Sequence, residues 1–236
     1  MNRRRLGGLD CVLTGGTDGQ GGGDGPTVVL LHGFGAGGDD LVELGVYLDA
    51  PAGTRWVFPA APLELGGLYG DSRAWWMIDL ARLERAEPAI RADECPAGLP
   101  EARAAVRALL DELARDFHRA DATTVLGGFS QGAMLAVDVA LHHGAPLAGL
   151  ALLSGTLIAV ADWRPRMASL AGVTVLQTHG TRDQVLAFAG AERLRDFLLE
   201  AGASVGFLPF PGGHELPPPV LEALADLLER TLAPPP

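Results

Sequence analysis

A serine that could act as a nucleophile lies at the centre of the pattern Gly128-x-Ser130-x-Gly132. Residues 123–130 are apolar like a buried strand, and residues 131–144 are apolar at helical spacing. A serine on such a strand-to-helix turn is typical of a nucleophile elbow, where flanking glycines remove side chains that would clash. The N-terminus of the following helix favours negative charge that develops at the serine. The alternative is a tight turn whose serine only caps the helix.

A serine nucleophile needs a base to take its proton and a carboxylate to orient that base. In chains that carry such an elbow, the order along the sequence is serine, acid, histidine. His214 is the last histidine of the chain and lies in a glycine-flanked loop, which makes it the predicted base. Asp183 follows the apolar run 172–180 and is the predicted acid, while Asp162 is the competitor. A solvated loop histidine and a helix-capping aspartate are the alternatives.

A glycine-rich turn at 33–38 has the spacing Gly-x-Gly-x-x-Gly and follows another apolar run. This spacing fits either a dinucleotide-binding turn or a turn that supplies a backbone donor to an oxyanion. Dinucleotide binding requires an acidic residue at the end of the next strand, and the run 54–62 ends without one. The turn is therefore predicted to contribute the N–H of Phe34 to an oxyanion hole whose second donor is the N–H of Gln131.

The composition of the chain excludes several classes of protein. Its net charge is −11, so the surface repels phosphate backbones and no nucleic-acid partner is expected. All 18 basic residues are arginine, and a chain without lysine lacks the residue that phosphate-loop NTPases and pyridoxal enzymes require. Two cysteines are too few for a disulfide framework or a cysteine-rich zinc site, and the histidines lack metal-ligand spacing. We therefore expect neither a cofactor nor a metal.

The elements that must position these groups alternate along the chain. Nearly continuous apolar runs predict buried strands of a parallel sheet, and they cover residues 27–33, 54–62, 123–130, 146–155, 172–180 and 203–213. Stretches with helical periodicity lie among them, and they cover residues 99–120, 131–144, 185–202 and 216–232. This alternation predicts an α/β fold, with a mostly parallel central sheet and helices on both faces. Residues 1–236 are expected to form a single domain.

Two segments fall outside this alternation. Residues 14–26 are glycine-rich, lack a core pattern and are expected to form a flexible connection after a short strand at 9–13. Residues 63–97 form a long loop, and loops of this length in a compact domain are usually functional or disordered. The N-terminus lacks the apolar stretch of a signal peptide, and no uncharged run is long and unbroken enough for stable membrane insertion. A cytoplasmic location is therefore expected.

Seven motifs that occur in this order resemble those of a known family. They read LLHGFGAGGDDL, FPAAP, RAWWMID, GGFSQGAMLA, LLSG, HGTRDQV and GGHE, and the resemblance runs from about residue 28 to about residue 228. The chain is similar to the phospholipase/carboxylesterase family of α/β-hydrolases, which contains acyl-protein thioesterases and small bacterial carboxylesterases. The resemblance implies Ser130 as nucleophile, Asp183 as acid and His214 as base, with Phe34 and Gln131 as oxyanion donors.

The same resemblance implies a substrate and a place for it. The chain is expected to cleave esters or thioesters of small to medium acyl chains through an acyl-enzyme intermediate. The family lines its acyl pocket with the loop at 63–97, so Trp75, Trp76 and Met77 are predicted to bind substrate. Packing of this loop onto the core is the alternative. A catalytically weak protein that only binds ligand is the competing function, and pairing of exposed apolar loop surface would give a homodimer.

Overall fold

The computed structural model describes residues 1–66, 70–79, 91–117 and 123–233. Its strands are β1 (Asn2–Leu6), β2 (Leu9–Gly16), β3 (Gln20–Gly22), β4 (Thr27–Leu31), β5 (Arg55–Pro59), β6 (Leu63–Glu64), β7 (Arg73–Ala74), β8 (Thr124–Phe129), β9 (Gly149–Leu153), β10 (Thr174–Gly180) and β11 (Ser204–Phe210). Its helices are α1 (Leu44–Tyr47), α2 (Leu99–Asp116), α3 (Gln131–His143), α4 (Val160–Trp163), α5 (Phe188–Glu200) and α6 (Pro218–Leu232), and a 3₁₀ segment, Arg164–Leu170, follows α4.

Nine strands form one sheet within the described residues. Their order is β1-β2-β5-β4-β8-β9-β10-β11, with β3 beside β2. β2 is antiparallel to β1 and β5, whereas the neighbours from β5 to β11 are all parallel. Every residue of β4, β5 and β9 is buried, as expected of parallel strands that are covered on both faces. The prediction of an α/β fold with a mostly parallel sheet is confirmed.

Helices cover both faces of the sheet, and each face buries its own apolar cluster. Side chains of one strand alternate between the two clusters, so that Val29 and Leu31 of β4 join one and Val28 and Leu30 join the other. Most buried apolar residues of α2, α3 and α5 belong to the first cluster, and those of α6 belong to the second. The two layers hold the sheet between them and leave its carboxyl edge for the loops.

Helix α2 follows the apolar stripe that the sequence predicts. Val106, Leu109, Leu110 and Leu113 are all buried on its inner face. The helix ends at Asp116, and residues 118–120 of the predicted helix lie outside the described residues. With 18 residues, α2 is the longest helix of the described part, and no helix there is both long and apolar enough to span a bilayer.

The N-terminal strand β1 has no counterpart in the sequence-based prediction. It pairs antiparallel with β2 at the edge of the sheet, where Arg3 and Arg5 are exposed and Leu6 is buried. An edge strand with charged side chains lacks the apolar run that marks the central strands. Charge at this position is consistent with protection of the sheet edge against pairing with another chain.

Residues 14–26, for which the sequence predicts a flexible connection, include regular structure. The segment includes the end of β2 and all of β3, and the carboxylate of Asp18 accepts the N–H groups of Gln20 and Gly22 at 2.8 Å. The buried guanidinium of Arg55 donates to the carbonyl oxygens of Gly21 and Gly23. A buried arginine on a neighbouring strand therefore orders a segment whose composition alone suggests flexibility.

Candidate active site

Ser130 lies on the sharp turn between β8 and α3, with φ of 56° and ψ of −117°. Its side chain makes no capping hydrogen bond to the helix, so the interpretation as a simple helix cap is not supported. A Cβ on Gly132 would lie 2.0 Å from the carbonyl oxygen of Leu31, and a Cβ on Gly128 would lie 2.5 Å from the carbonyl carbon of Gly132. Both glycines are therefore required by close backbone packing, which holds the strained serine in place.

Asp183 and His214 meet because their loops follow adjacent parallel strands, β10 and β11. The Nδ1 of His214 lies 2.7 Å from Oδ2 of the buried Asp183 side chain. The other carboxylate oxygen accepts the N–H groups of Val185 and Leu186 at 2.8 and 2.9 Å. Burial raises the pKa of Asp183, but the bonds from His214 and the two N–H groups outweigh it, and the net pKa is lowered. Asp183 is thus an ionised acceptor that orients the imidazole.

The imidazole of His214 also lies next to the elbow. Its ring centroid is 4.7 Å from that of Phe129, the residue before Ser130. Asp162, the alternative acid, lies elsewhere and binds Arg103 at 3.0 Å and Arg166 at 2.8 Å. The structure therefore brings Ser130, Asp183 and His214 to one edge of the sheet and leaves Asp162 in a separate ion-pair cluster.

The glycine-rich turn at 33–38 borders the serine. A Cβ on Gly33 would lie 3.4 Å from the Cβ of Ser130. Among the described residues the N–H of Phe34 has no hydrogen-bond partner. Gln131 is the first residue of α3, where a backbone N–H cannot be satisfied within the helix. Both predicted oxyanion donors are thus backbone groups beside the elbow.

Two buried histidines brace these loops. His32 donates from Nδ1 to the carbonyl oxygen of Gly33 at 2.8 Å, and its Nε2 accepts the N–H of Ala61 at 2.9 Å. His179 lies with Nε2 2.9 Å from the carbonyl oxygen of Leu186 and 3.3 Å from Oδ2 of Asp183. Burial lowers the pKa of both histidines, so each is a neutral structural group at neutral pH.

The predicted acyl-pocket residues divide into two groups. Trp75 and Trp76 are each only 1% exposed and belong to the hydrophobic core, so the prediction that their side chains line the pocket is wrong. The indole N–H of Trp75 donates to the carbonyl oxygen of His32 at 3.0 Å, which supports the turn from behind. Met77 is 57% exposed, and its contact with substrate stays a prediction. Residues 67–69 and 80–90 of the predicted loop lie outside the described part of the chain.

Sequence reasoning missed the role of the Gln131 side chain. Its amide oxygen accepts the N–H of Trp75, and its amide nitrogen donates to the carbonyl oxygen of Trp76, both at 2.9 Å. A signal was present, because Gln131 is the one strongly polar residue in the opening turn of the helix and is followed by glycine and apolar residues up to Val137.

One cluster of the described residues has donor atoms close enough to bind a metal ion: Asp138, His142 and Asp162. Arg103 already binds both carboxylates, with distances of 2.6 Å to Asp138 and 3.0 Å to Asp162. The indole N–H of Trp163 also donates to Asp138 at 2.7 Å. A guanidinium therefore occupies the position that a cation would need, and the cluster is better described as a link between α2, α3 and α4.

Comparison with known proteins gives consistent matches over most of the chain. The chain is 28% identical over 214 residues to acyl-protein thioesterase 1 of Neurospora crassa, and this match covers 87% of this chain and 86% of that protein. It is 25% identical to carboxylesterase SOBER1 of Arabidopsis thaliana, over 87% of this chain and 90% of that protein. The solved structure of esterase PE8 superimposes with a TM-score of 0.78 at 29% identity, and the match covers 93% and 97% of the two chains.

The family match extends beyond individual relatives. Residues 22–232 match the phospholipase/carboxylesterase family as a whole, and this range includes the elbow, the glycine-rich turn and the loops of Asp183 and His214. The fold of the solved esterase and the order of the motifs agree with that match. The chain belongs to the phospholipase/carboxylesterase family of α/β-hydrolases.

Proposed function

We propose that the protein hydrolyses carboxylic esters or thioesters through an acyl-enzyme formed on Ser130. The observation that carries this proposal is a strained serine with no capping role beside a hydrogen-bonded pair of Asp183 and His214. Strain of this kind persists where the surrounding structure holds it, and it is common at catalytic residues. Relatives that are named as carboxylesterases and acyl-protein thioesterases support both types of bond as targets.

The proposed reaction begins at His214. Because its Nδ1–H donates to Asp183, its Nε2 carries the lone pair that takes the hydroxyl proton of Ser130. The serine oxygen then attacks the carbonyl carbon, and the N–H groups of Phe34 and Gln131 stabilise the oxyanion. Collapse of the tetrahedral intermediate breaks the ester or thioester bond, and the leaving alcohol or thiol receives the proton from His214. Water repeats the two steps and releases the acid.

The acyl chain is proposed to contact exposed apolar side chains on the loops that carry or border these groups. Met77 follows the tryptophan pair that packs behind the glycine-rich turn, and Val185 follows Asp183 by two residues and is 53% exposed. Both side chains are flexible or small enough to accept acyl groups of different lengths. An ester or thioester of small to medium chain length is therefore the proposed substrate.

Labelling with a fluorophosphonate tests the proposal. Intact mass spectrometry is expected to detect one adduct on the wild type and none on Ser130→Ala, because only an activated serine reacts with this reagent. Absence of an adduct on a folded wild type would favour the competing function, a protein that binds ligand with little or no turnover. A series of nitrophenyl esters and acyl thioesters would then give the chain-length preference.

A further inference from the structure

Gln131 carries a side chain that the proposed reaction does not use. This side chain is buried, since the whole residue is only 1% exposed. Its amide binds two consecutive residues of the backbone, accepting from the N–H of Trp75 and donating to the carbonyl oxygen of Trp76. Buried backbone groups need such partners, and the glutamine amide supplies one donor and one acceptor, as a neighbouring strand would. The residue after the nucleophile is therefore fastened to a segment 55 residues earlier in the chain.

The segment held by Gln131, residues 73–76, supports the glycine-rich turn by a side-chain contact. The indole N–H of Trp75 donates to the carbonyl oxygen of His32 at 3.0 Å. The imidazole of His32 in turn donates to the carbonyl oxygen of Gly33 at 2.8 Å. Both of these carbonyl groups precede the N–H of Phe34, which is the proposed first oxyanion donor.

The same segment supports the turn by a backbone contact. Arg73, two residues before Trp75, donates its N–H to the carbonyl oxygen of Ala36 and accepts the N–H of Gly35, both at 2.9 Å. Phe34 thus lies between two points that are held by residues 73–75. The position of its N–H relative to the elbow depends on where that segment is fastened.

We propose that the side chain of Gln131 is a positioning group that sets the separation between the two oxyanion donors. The residue has two roles in this proposal: its backbone N–H binds the oxyanion, and its amide places the N–H of Phe34 opposite. The inference rests on the proposed function, since it concerns the same site. It goes further, because it assigns a role in the reaction to a buried amide that does not touch the substrate.

The expected fall in kcat follows from how much one oxyanion donor contributes to the rate. Removal of one donor typically lowers kcat by about 10²–10³, and productive geometry tolerates displacements of only about 0.5 Å. A donor that is displaced but still present should lose part of that effect, so the expected fall in kcat is about tenfold to a hundredfold. The change in KM should be small, because the donors bind the transition state more strongly than the substrate.

Gln131→Met is the test variant, and Gln177→Met is its matched control. Methionine keeps the length and bulk of glutamine, retains the backbone N–H of residue 131 and leaves the backbone partners in Trp75 and Trp76 unpaired. Gln177 is also buried, and its Nε2 donates to the carbonyl oxygen of Ala191 on α5, away from the turn. Both variants should lower Tm, but only Gln131→Met should lower kcat per labelled active site.

Gln131→Glu adds a readout that a merely structural role would not produce. An ionised glutamate still accepts from Trp75 but places its second oxygen against the carbonyl oxygen of Trp76. A protonated glutamic acid can donate to that carbonyl and restores both contacts, and burial raises the pKa of such a carboxyl group. The ratio of the variant's kcat to the wild-type kcat should therefore rise as the pH is lowered.

The outcomes separate this inference from the proposed function. A wild type that neither labels at Ser130 nor hydrolyses any ester overturns the proposed function and the inference with it. A wild type that labels, together with a Gln131→Met kcat within twofold of it, overturns the inference alone. Equal losses of kcat in Gln131→Met and Gln177→Met, or a Gln131→Glu ratio that is low and does not change with pH, would also overturn it by indicating a general effect on stability.

Discussion

Replacement of Asp183 by asparagine is the most direct test of how the acid acts. The two backbone N–H groups of Val185 and Leu186 bind one side-chain oxygen at 2.8 and 2.9 Å. Asparagine has one oxygen and one NH₂ group, so these donors will hold its oxygen and turn its NH₂ group toward His214. Two N–H donors would then face each other across a contact that measures 2.7 Å in the wild type.

The imidazole can relieve this conflict only by moving its proton. With the proton on Nε2, the Nδ1 of His214 accepts from the asparagine, and Nε2 has no lone pair to take the hydroxyl proton of Ser130. Loss of the correct tautomer in this way lowers kcat by about 10⁴ in a well-studied triad, which corresponds to about 5 kcal/mol of transition-state stabilisation. The fold should persist, because the hydrogen bonds to the two backbone N–H groups are retained.

The assay is steady-state hydrolysis of an activated nitrophenyl ester, and the matched control is Asp162→Asn. Asp162 binds Arg103 and Arg166 and lies outside the pair of Asp183 and His214, so its variant should keep kcat within about twofold. It should lose two partly exposed ion pairs, each worth up to about 1 kcal/mol. Near-wild-type activity of Asp183→Asn would refute the tautomer argument. A large loss in Asp162→Asn instead would move the role of the acid to that residue.

Two further predictions concern stability. Arg103→Met should lower the free energy of unfolding by about 3–5 kcal/mol, because it leaves the fully buried carboxylate of Asp138 without its cation. Urea unfolding measures this change. The control is Arg164→Met, which breaks an exposed ion pair and should lower the free energy of unfolding by less than about 1 kcal/mol. Burial lowers the pKa of His32 and His179 below the ordinary 6.5, so the unfolded chain takes up protons first as the pH falls. The free energy of unfolding should therefore be at its full value above about pH 6.5. Below that pH it should fall by up to about 1.4 kcal/mol per pH unit for each of the two histidines. A free energy of unfolding that stays constant between pH 7 and 5 would contradict this prediction.

The common location of the proposed catalytic groups was predictable because a parallel sheet puts the carboxyl ends of its strands at one edge. Ser130, Asp183 and His214 each follow an apolar run, and the runs are β8, β10 and β11 of the same sheet. Asp162 also lies between Ser130 and His214 in the chain, so the choice of Asp183 rested on its clearer strand and on the helix that follows its loop. No knowledge of side-chain contacts was required for this choice.

The tryptophan pair shows where such reasoning fails. An apolar residue near a site is equally suited to line a pocket or to pack in the core. Which of the two occurs depends on contacts with residues that are distant in sequence. For Trp75 and Trp76 the deciding contacts are backbone hydrogen bonds to the amide of Gln131. Arg55 gives the same lesson, since its buried guanidinium orders the glycine-rich segment although arginine usually indicates an exposed position.

Backbone hydrogen bonds, and not the side chains of the proposed catalytic residues, hold together the edge of the sheet that carries the site. Just beyond the strand ends, successive loops are joined by hydrogen bonds from backbone N–H to carbonyl oxygen. These bonds are Ser130 to Leu153 at 2.8 Å, Ser154 to Thr178 at 3.0 Å and Thr181 to Phe210 at 2.8 Å. They connect β8, β9, β10 and β11 in order, so that the ladder of the sheet continues into the loops.

This continuation explains how a strained serine can be placed accurately against a histidine whose strand lies three strands away in the sheet. The N–H of Ser130 is fixed to the end of β9, and the loops of Asp183 and His214 leave from strand ends that are fixed to each other. Because these links use main-chain atoms, substitution of a catalytic side chain does not remove them. Loss of activity in Ser130→Ala or Asp183→Asn should therefore report chemistry at an intact site. Substitution of Gln131 instead alters a side-chain link between the elbow and the segment that supports the proposed oxyanion donor Phe34.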